Sequence, residues 1–368
     1  MNKKLKIIII AIICLMVWYI FLNNLKFKNI EIIKSNNVPN YILINRSQTD
    51  DSGTLNYDSN ILVTNKIEEY QKLSEQSFNN IEYNPYNDTL NFISNHKCTV
   101  NVYHNNLNAK EYDLCEKLSL KSGIQELRFT KNYNVATLNG GFRNDMKNYQ
   151  SGIGIYDKEF KLIDELKINN IIYSTVVEND KIYYLISGEN VQNEESQKKS
   201  QIVKYNIKSK KESIIYNVTK KKNIIDIIIN NNNIYVIYLD NKDNNYYLGI
   251  IKNRNIIKKK KIGYEYGSFT NYVVNKKGDI LVVFPTLENE IEEGKSSLVK
   301  IDKSGEIQIQ NLVFPEAVLT ASTDYIYYKD SNNKYYRMNT ISLKKEEITI
   351  PFPANINQDN HFIYFFKK

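Results

Sequence analysis

Ile182-Tyr-Tyr-Leu-Ile186, Ile234-Tyr-Val-Ile-Tyr238 and Ile280-Leu-Val-Val-Phe284 decide how this chain is read. Each run is apolar at consecutive positions, and each follows a turn signal: Asn179-Asp180, Asn232-Asn233 and Gly278-Asp279. A strand-length run of this kind, bounded by turn residues, marks a strand buried on both faces. Runs of the same kind stand at Thr89-Leu-Asn-Phe-Ile93, Val135-Ala-Thr-Leu138, Ile326-Tyr-Tyr328 and Phe362-Ile-Tyr-Phe-Phe366. From Thr89 to Phe362 the successive starting positions differ by 46, 47, 52, 46, 46 and 36.

A second set of positions repeats with nearly the same period. Val203-Lys-Tyr-Asn206, Ile251-Lys-Asn253, Val299-Lys-Ile-Asp302 and Tyr336-Arg-Met-Asn339 are alternating segments that end in Asn or Asp. Val102-Tyr-His104 and Ile155-Tyr-Asp157 fit the same place more loosely. Strand-only units with a period in the forties are the pattern of β-propeller blades. The predicted fold class is therefore all-β, a β-propeller. Six four-stranded units fit 81–121, 127–168, 171–219, 224–262, 268–312 and 316–350. A seventh, with only 352–357 and 361–366 at the C-terminus, would be completed by N-terminal strands such as Tyr41-Ile-Leu-Ile44 and Ile61-Leu-Val63. Seven blades are favoured over six, because that splice closes the ring and removes its free edge. Residues 65–78 read as a helical insertion, with Asn65 and Glu68 as a capping box.

Composition agrees with a packed domain. The 368 residues are 42% apolar and 24% charged, which excludes global disorder. Gly is scarce at 13 and Asn abundant at 53, so turns must be built largely from Asn, which tolerates the left-handed region. Net charge is +8, from 49 basic and 41 acidic residues, but residues 1–28 hold five lysines and no acid. Without those five the body has 44 basic against 41 acidic residues, too balanced for a nucleic-acid surface.

The N-terminal charge frames an apolar segment, Ile7 to Leu22, which as a helix would span ~24 Å. Asn23, Asn24 and Leu25 extend it toward membrane-spanning length, and Trp18 and Tyr19 suit the interface. The expected organisation is a cytoplasmic tail at 1–6, a transmembrane signal anchor at 7–25, a linker at 26–37 and the propeller at 38–368. A cleaved signal peptide and a buried core helix are the alternatives, and no A-x-A-like site follows the run. Lysines before the span favour an N-terminus in the cytoplasm, with everything beyond residue 28 outside the cell membrane.

Cys14 lies inside the apolar segment, while Cys98 and Cys115 flank the turn Asn105-Asn106-Leu107-Asn108. If 103 faces 110 across that hairpin, 98 faces 115, and the two thiols could form a disulfide outside the cell. They could equally be two small buried hydrophobes. Lysine runs at 220–222 and 258–261 are expected at or just after fourth, outermost strands, where charge protects a sheet edge.

Tyr327-Tyr328-Lys329-Asp330, followed by Tyr336-Arg337-Met338-Asn339, resembles the blades of extracellular YWTD-type propellers, with Tyr238-Leu239-Asp240 a weaker echo. No Trp occupies these positions. The resemblance implies a rigid ring presenting loops to a partner and implies no reaction.

Propeller sites usually form where second-to-third loops and blade-linking loops meet, an expectation at the level of the fold. The long loops 139–151, 187–200 and 285–296 bring Arg143, Asn144 and Asp145 from the first, and Glu288, Glu290, Glu292 and Glu293 from the third. The linking loop Gly263-Tyr-Glu-Tyr-Gly267 offers Tyr264 and Tyr266 for stacking on a sugar or an apolar side chain. Candidate binding residues are therefore Arg143, Asn144, Asp145, Tyr264, Tyr266, Glu288 and Glu290. His96, His104 and His361 make no i, i+4 metal pair, and the chain has no H-E-x-x-H, G-x-S-x-G, P-loop or G-x-G-x-x-G. No metal, cofactor or catalytic residue is assigned. The expected partner is an envelope protein or a surface glycan. Two other functions are open: a glycan hydrolase or lyase using Asp145, Glu288 or Glu290 as acid and base, or an envelope assembly scaffold with an apolar groove.

Overall fold

A computed structural model describes residues 33–35, 40–45, 62–64, most of 80–348 and 361–366. Within 80–348 it leaves out several turns and the centres of the longer loops, among them 104–108, 143–148, 187–199, 264–270, 286–295 and 311–316. The proposed anchor at 7–25 and the proposed helix at 65–78 lie outside the described residues. The chain begins with three short strands, β1 (Ile33–Ser35), β2 (Asn40–Asn45) and β3 (Leu62–Thr64). Six antiparallel units follow, each paired strictly in chain order.

Blade 1 is β4 (Asn80–Asn84), β5 (Thr89–Ser94), β6 (Thr99–Tyr103) and β7 (Ala109–Asp113). Blade 2 is β8 (Gly123–Phe129), β9 (Asn134–Phe142), β10 (Tyr149–Tyr156) and β11 (Leu162–Ile168). Blade 3 is β12 (Ile172–Glu178), β13 (Lys181–Ile186), β14 (Gln201–Asn206) and β15 (Lys211–Asn217). Blade 4 is β16 (Lys222–Asn230), β17 (Asn233–Asp240), β18 (Asn245–Lys252) and β19 (Asn255–Gly263). Blade 5 is β20 (Asn271–Val274), β21 (Ile280–Pro285), β22 (Ser296–Ile301) and β23 (Ile307–Gln310). Blade 6 is β24 (Ala317–Ala321), β25 (Tyr325–Lys329), β26 (Tyr335–Asn339) and β27 (Lys345–Ile348), with β1 added in parallel to the outer edge of β27.

First strands touch first strands: β4 lies against β8, β8 against β12, β12 against β16 and β20 against β24. These strands line the axis, and the architecture is a six-bladed β-propeller. The expectation of seven blades is not supported. The last strand, β28 (His361–Phe366), does pair with β2, and β2 with β3, but this sheet has three strands where the six blades have four or more.

Burial shows why the deciding runs are apolar at every position. Along β17, Ile234, Val236 and Tyr238 pack between blades 3 and 4, while Tyr235 and Ile237 pack between blades 4 and 5. Along β9, Ala136 and Leu138 face blade 1 and Val135 faces blade 3. Side chains alternate across a strand, so a strand sandwiched between two neighbours needs apolar residues at odd and even positions alike. The core is thus a series of blade-to-blade layers rather than one central mass.

The second repeat has an equally local cause. Asp157, Asn206, Asp302 and Asn339 end or follow third strands, and each Oδ1 accepts backbone N–H bonds from the turn beyond, as from Glu159 and Lys161 at 2.9 Å in blade 2. This side-chain capping of a turn is the reason for Asn and Asp there. The scarcity of glycine is met in the same way. Asn231 and Asn232 both have positive φ (52° and 61°) in the two-residue turn between β16 and β17, as a type I′ turn requires.

Gly152-Ile-Gly154, in β10, is a packing feature. A Cβ on Gly154 would meet the Tyr156 ring at 2.5–2.9 Å, and one on Gly152 would come within 3.0 Å of the Leu166 carbonyl oxygen. Of the two lysine runs, 258–261 lies on the fourth strand β19 and 220–222 follows the fourth strand β15, as expected, although Lys222 already opens the first strand β16 and so does not guard an outer edge.

Candidate functional site: a charged cluster on the propeller axis

In a four-stranded antiparallel blade the second-to-third loop and the link to the next blade emerge at the same end. Arg143, Asn144, Asp145, Tyr264, Tyr266, Glu288 and Glu290 all belong to these connections, and all seven lie outside the described residues.

Cys98 and Cys115 are joined by a disulfide with Cα atoms 5.8 Å apart. The register differs by one from the expected pairing. Thr99 faces Asp113, and the Leu114 N–H donates to the Cys98 carbonyl, so Cys115 sits one residue past the ladder. Cys98 adopts a positive φ of 54° there. Both cysteines are buried between blades 1 and 2, so the bridge is also part of that apolar layer. Closing a loop with a sequence separation of 17 restricts the unfolded chain, so replacing both cysteines by serine is expected to cost about 3 kcal/mol in urea unfolding. Intact-mass analysis before and after reduction and alkylation checks the bond itself.

A cluster of charged and hydroxyl groups among the described residues converges on the inner strands. Four first strands carry a register shift within their first residues: between Ile124 and Glu126, Ile172 and Ser174, Ile224 and Asp226, and Val318 and Thr320. A bulge re-aims the side chains beyond it. Beyond the first, Glu126 and Arg128 leave the face opposite Leu127, which is buried against blade 1. Beyond the second, Ser174 donates to Asp226 Oδ1 at 2.6 Å, joining blade 3 to blade 4. Beyond the third, the same Asp226 oxygen accepts the Ile227 N–H at 2.8 Å.

Arg128 is the hub. It pairs with Glu126 on its own strand, reaches Glu82 Oε1 of β4 at 3.4 Å, and donates from Nε to the Thr175 carbonyl of β12 at 3.3 Å. Thr137 and Thr175 hydroxyls bond at 2.8 Å beside it. One guanidinium therefore links the inner strands of blades 1, 2 and 3. The side chains of Arg128, Glu82 and Glu126 keep 33%, 23% and 20% of their surface accessible although blades surround them, as expected of groups lining a narrow channel.

This setting shifts the titrating groups. Burial pushes the Glu126 carboxyl up to about 7; Arg128 opposes the shift, while Glu82 and Asp226 add to it. Burial likewise raises Asp226 against the pull of its bonds from Ser174 and Ile227 and of Arg128. Tyr272 of β20 is pushed up to about 12, again mainly by burial. Burial works against the charged Arg128, but Glu126 and Glu82 outweigh it and hold the guanidinium charged. Among the described residues no group of three or more His, Cys, Asp or Glu is arranged to hold a metal ion.

The sequence reading missed this cluster, although one signal was present: Asp226 interrupts the isoleucine-rich segment 224–229.

No family model matches the sequence, and no curated protein matches it. Solved structures do. The β-propeller domain of Cps50 (Swd1) from Myceliophteria thermophila aligns at 12% identity and a TM-score of 0.49, over 74% of this chain and 87% of that one. Virginiamycin B lyase from Staphylococcus aureus, crystallised as an inactive variant with quinupristin, aligns at 16% identity and 0.47, over 76% and 84%. The β-propeller domain of the trilobed protease from Pyrococcus furiosus aligns at 15% identity and 0.42, over 60% and 69%.

Proposed function

We propose that this chain is a membrane-tethered, extracytoplasmic β-propeller that binds an envelope protein or a surface glycan through the end carrying its long loops. The Cys98–Cys115 disulfide is the observation that carries the reading, because such bonds persist in oxidising compartments. The apolar run Ile7–Leu22 supports the tether. In this reading β2, β3 and β28 form an incomplete seventh blade, and Tyr327–Asp330 belongs to a YWTD-like blade. The lie of β28 beside β24 supports that placement of the small sheet.

Pairing of β1 with β27 gives the tether a point of entry. From residue 25 to Ile33 the chain spans no more than about 28 Å, so the outer edge of blade 6 would be the part of the propeller held nearest the bilayer. With the full chain in membranes, alkaline carbonate is expected to leave the protein in the pellet, and protease added outside intact cells is expected to degrade it. Release by carbonate, or protection until the cells are lysed, would reject the tethered external topology. Crosslinked pull-down from the same membranes, set beside a polysaccharide array, separates a protein partner from a glycan.

A further inference from the structure

We propose that the axial cluster is a proton-operated fastener: Glu82, Glu126 and Asp226, set around Arg128, bind the inner strands of blades 1–4 most firmly while a carboxyl among them keeps its proton, and let them loosen when it is lost. The geometry carries the proposal. Arg128 holds Glu126 and Glu82 directly, while Asp226 is tied through Ser174 to blade 3, so three carboxylates from three blades share the field of one guanidinium. Like charges brought together in a poorly solvated channel disfavour full ionisation, and one proton relieves them.

The groups facing Glu126 come from every strand packed around it. Its own β8 supplies Arg128, β4 supplies Glu82, β16 supplies Asp226 and β20 supplies the Tyr272 hydroxyl. The neighbouring strands β12, β9 and β5 face the cluster with the uncharged Ser174, Thr175, Thr137 and Asn91. Among these described residues, the groups that can gain or lose a proton near neutral pH are the carboxyls.

The direction of the effect is fixed by linkage. A carboxyl held up to about 7 when folded, against an ordinary 4.5, binds its proton more tightly in the folded state. Its contribution to stability is therefore largest at low pH, declines as pH rises from about 4.5 to about 7, and is constant above that. This is opposite in sign to Asp164 and Glu165, whose carboxyls are held low and which stabilise the fold only above their pKa values.

Urea unfolding of the wild type and Glu126→Gln at pH 5 and pH 8 tests the proposal. Glutamine keeps the shape of the protonated acid and cannot ionise. Between the two pH values the unfolding constant of the wild type is expected to rise on the order of ten- to a hundredfold relative to that of Glu126→Gln, each pKa unit being tenfold. Titration of the histidines and of groups outside the cluster is common to both proteins and cancels. Equal pH slopes for the two proteins would overturn the proposal. If Glu126→Gln does not fold, hydrogen exchange on the wild type decides. Corrected for intrinsic rates, amides of β8 and β16 are expected to lose protection from pH 5 to pH 8 while those of β21 and β22 do not. A uniform change across the blades would overturn it.

Discussion

Replacing Arg128 by methionine is expected to cost the fold about 3 kcal/mol at pH 8, the lower end of the range for breaking a buried ion pair, because the channel admits some water. Methionine preserves much of the stem's packing but removes the charge, leaving Glu126 and Glu82 facing each other. It also removes the donor to the Thr175 carbonyl, so one tie between blades 2 and 3 goes as well, while the Thr137–Thr175 hydroxyl bond stays. The loss should be smaller at pH 5, where Glu126 takes up a proton and the repulsion falls. Chemical unfolding at the two pH values measures this directly. Equal losses would mean that Arg128 contributes packing and little charge.

Tyr156→Ala is expected to be at least as damaging, about 3–5 kcal/mol, as for other large buried aromatics. The ring is 1% exposed and lies in the layer between blades 1 and 2, folded over Gly154 of its own strand. Its hydroxyl donates to the Leu114 carbonyl at 2.9 Å, next to the disulfide-bonded Cys115. Removing the ring opens a cavity that the two glycines cannot fill. Tyr156→Phe separates the two contributions: it keeps the ring, leaves one buried carbonyl unpaired and should cost about 1–2 kcal/mol. Equilibrium unfolding of both variants checks the ranking, and a phenylalanine loss as large as the alanine loss would place the energy in the hydrogen bond.

The fold was legible because its causes are local and repeated. A second strand buried in two layers must be apolar on both faces, as in 234–238, and the turn after a third strand recruits an Asn or Asp oxygen, as at Asn206 and Asp302. The first requirement recurs from blade to blade and the second in blades 2, 3, 5 and 6, and together they leave a period that can be counted. Blade number was less legible. β28, β2 and β3 do pair, but the sequence cannot say whether paired terminal strands amount to a full blade. The register at Cys98 was missed by one because the turn that sets it shows no Gly or Pro signal in Asn105-Asn106-Leu107-Asn108.

The axial cluster was hidden for a different reason. Glu82 and Arg128 are 46 residues apart, and Ser174 and Asp226 are 52 apart. No short window contains the pairs, and Gln125-Glu126-Leu127-Arg128 by itself looks like the exposed face of an alternating strand. Only superposing the repeats on their period, with one extra residue allowed in each inner strand, brings Glu126, Ser174, Asp226 and Thr320 into one position. The bulges shift the register just before the polar residue, so a strict two-residue alternation misassigns the face.

A double-mutant cycle on Arg128→Met and Glu82→Gln tests most directly whether successive inner strands meet around a charged axis. The two residues come from different blades, and their side chains meet only if those blades stand side by side about a common centre. A coupling of about 1 kcal/mol or more is predicted between the two substitutions. Losses that add to within about 0.3 kcal/mol would contradict it.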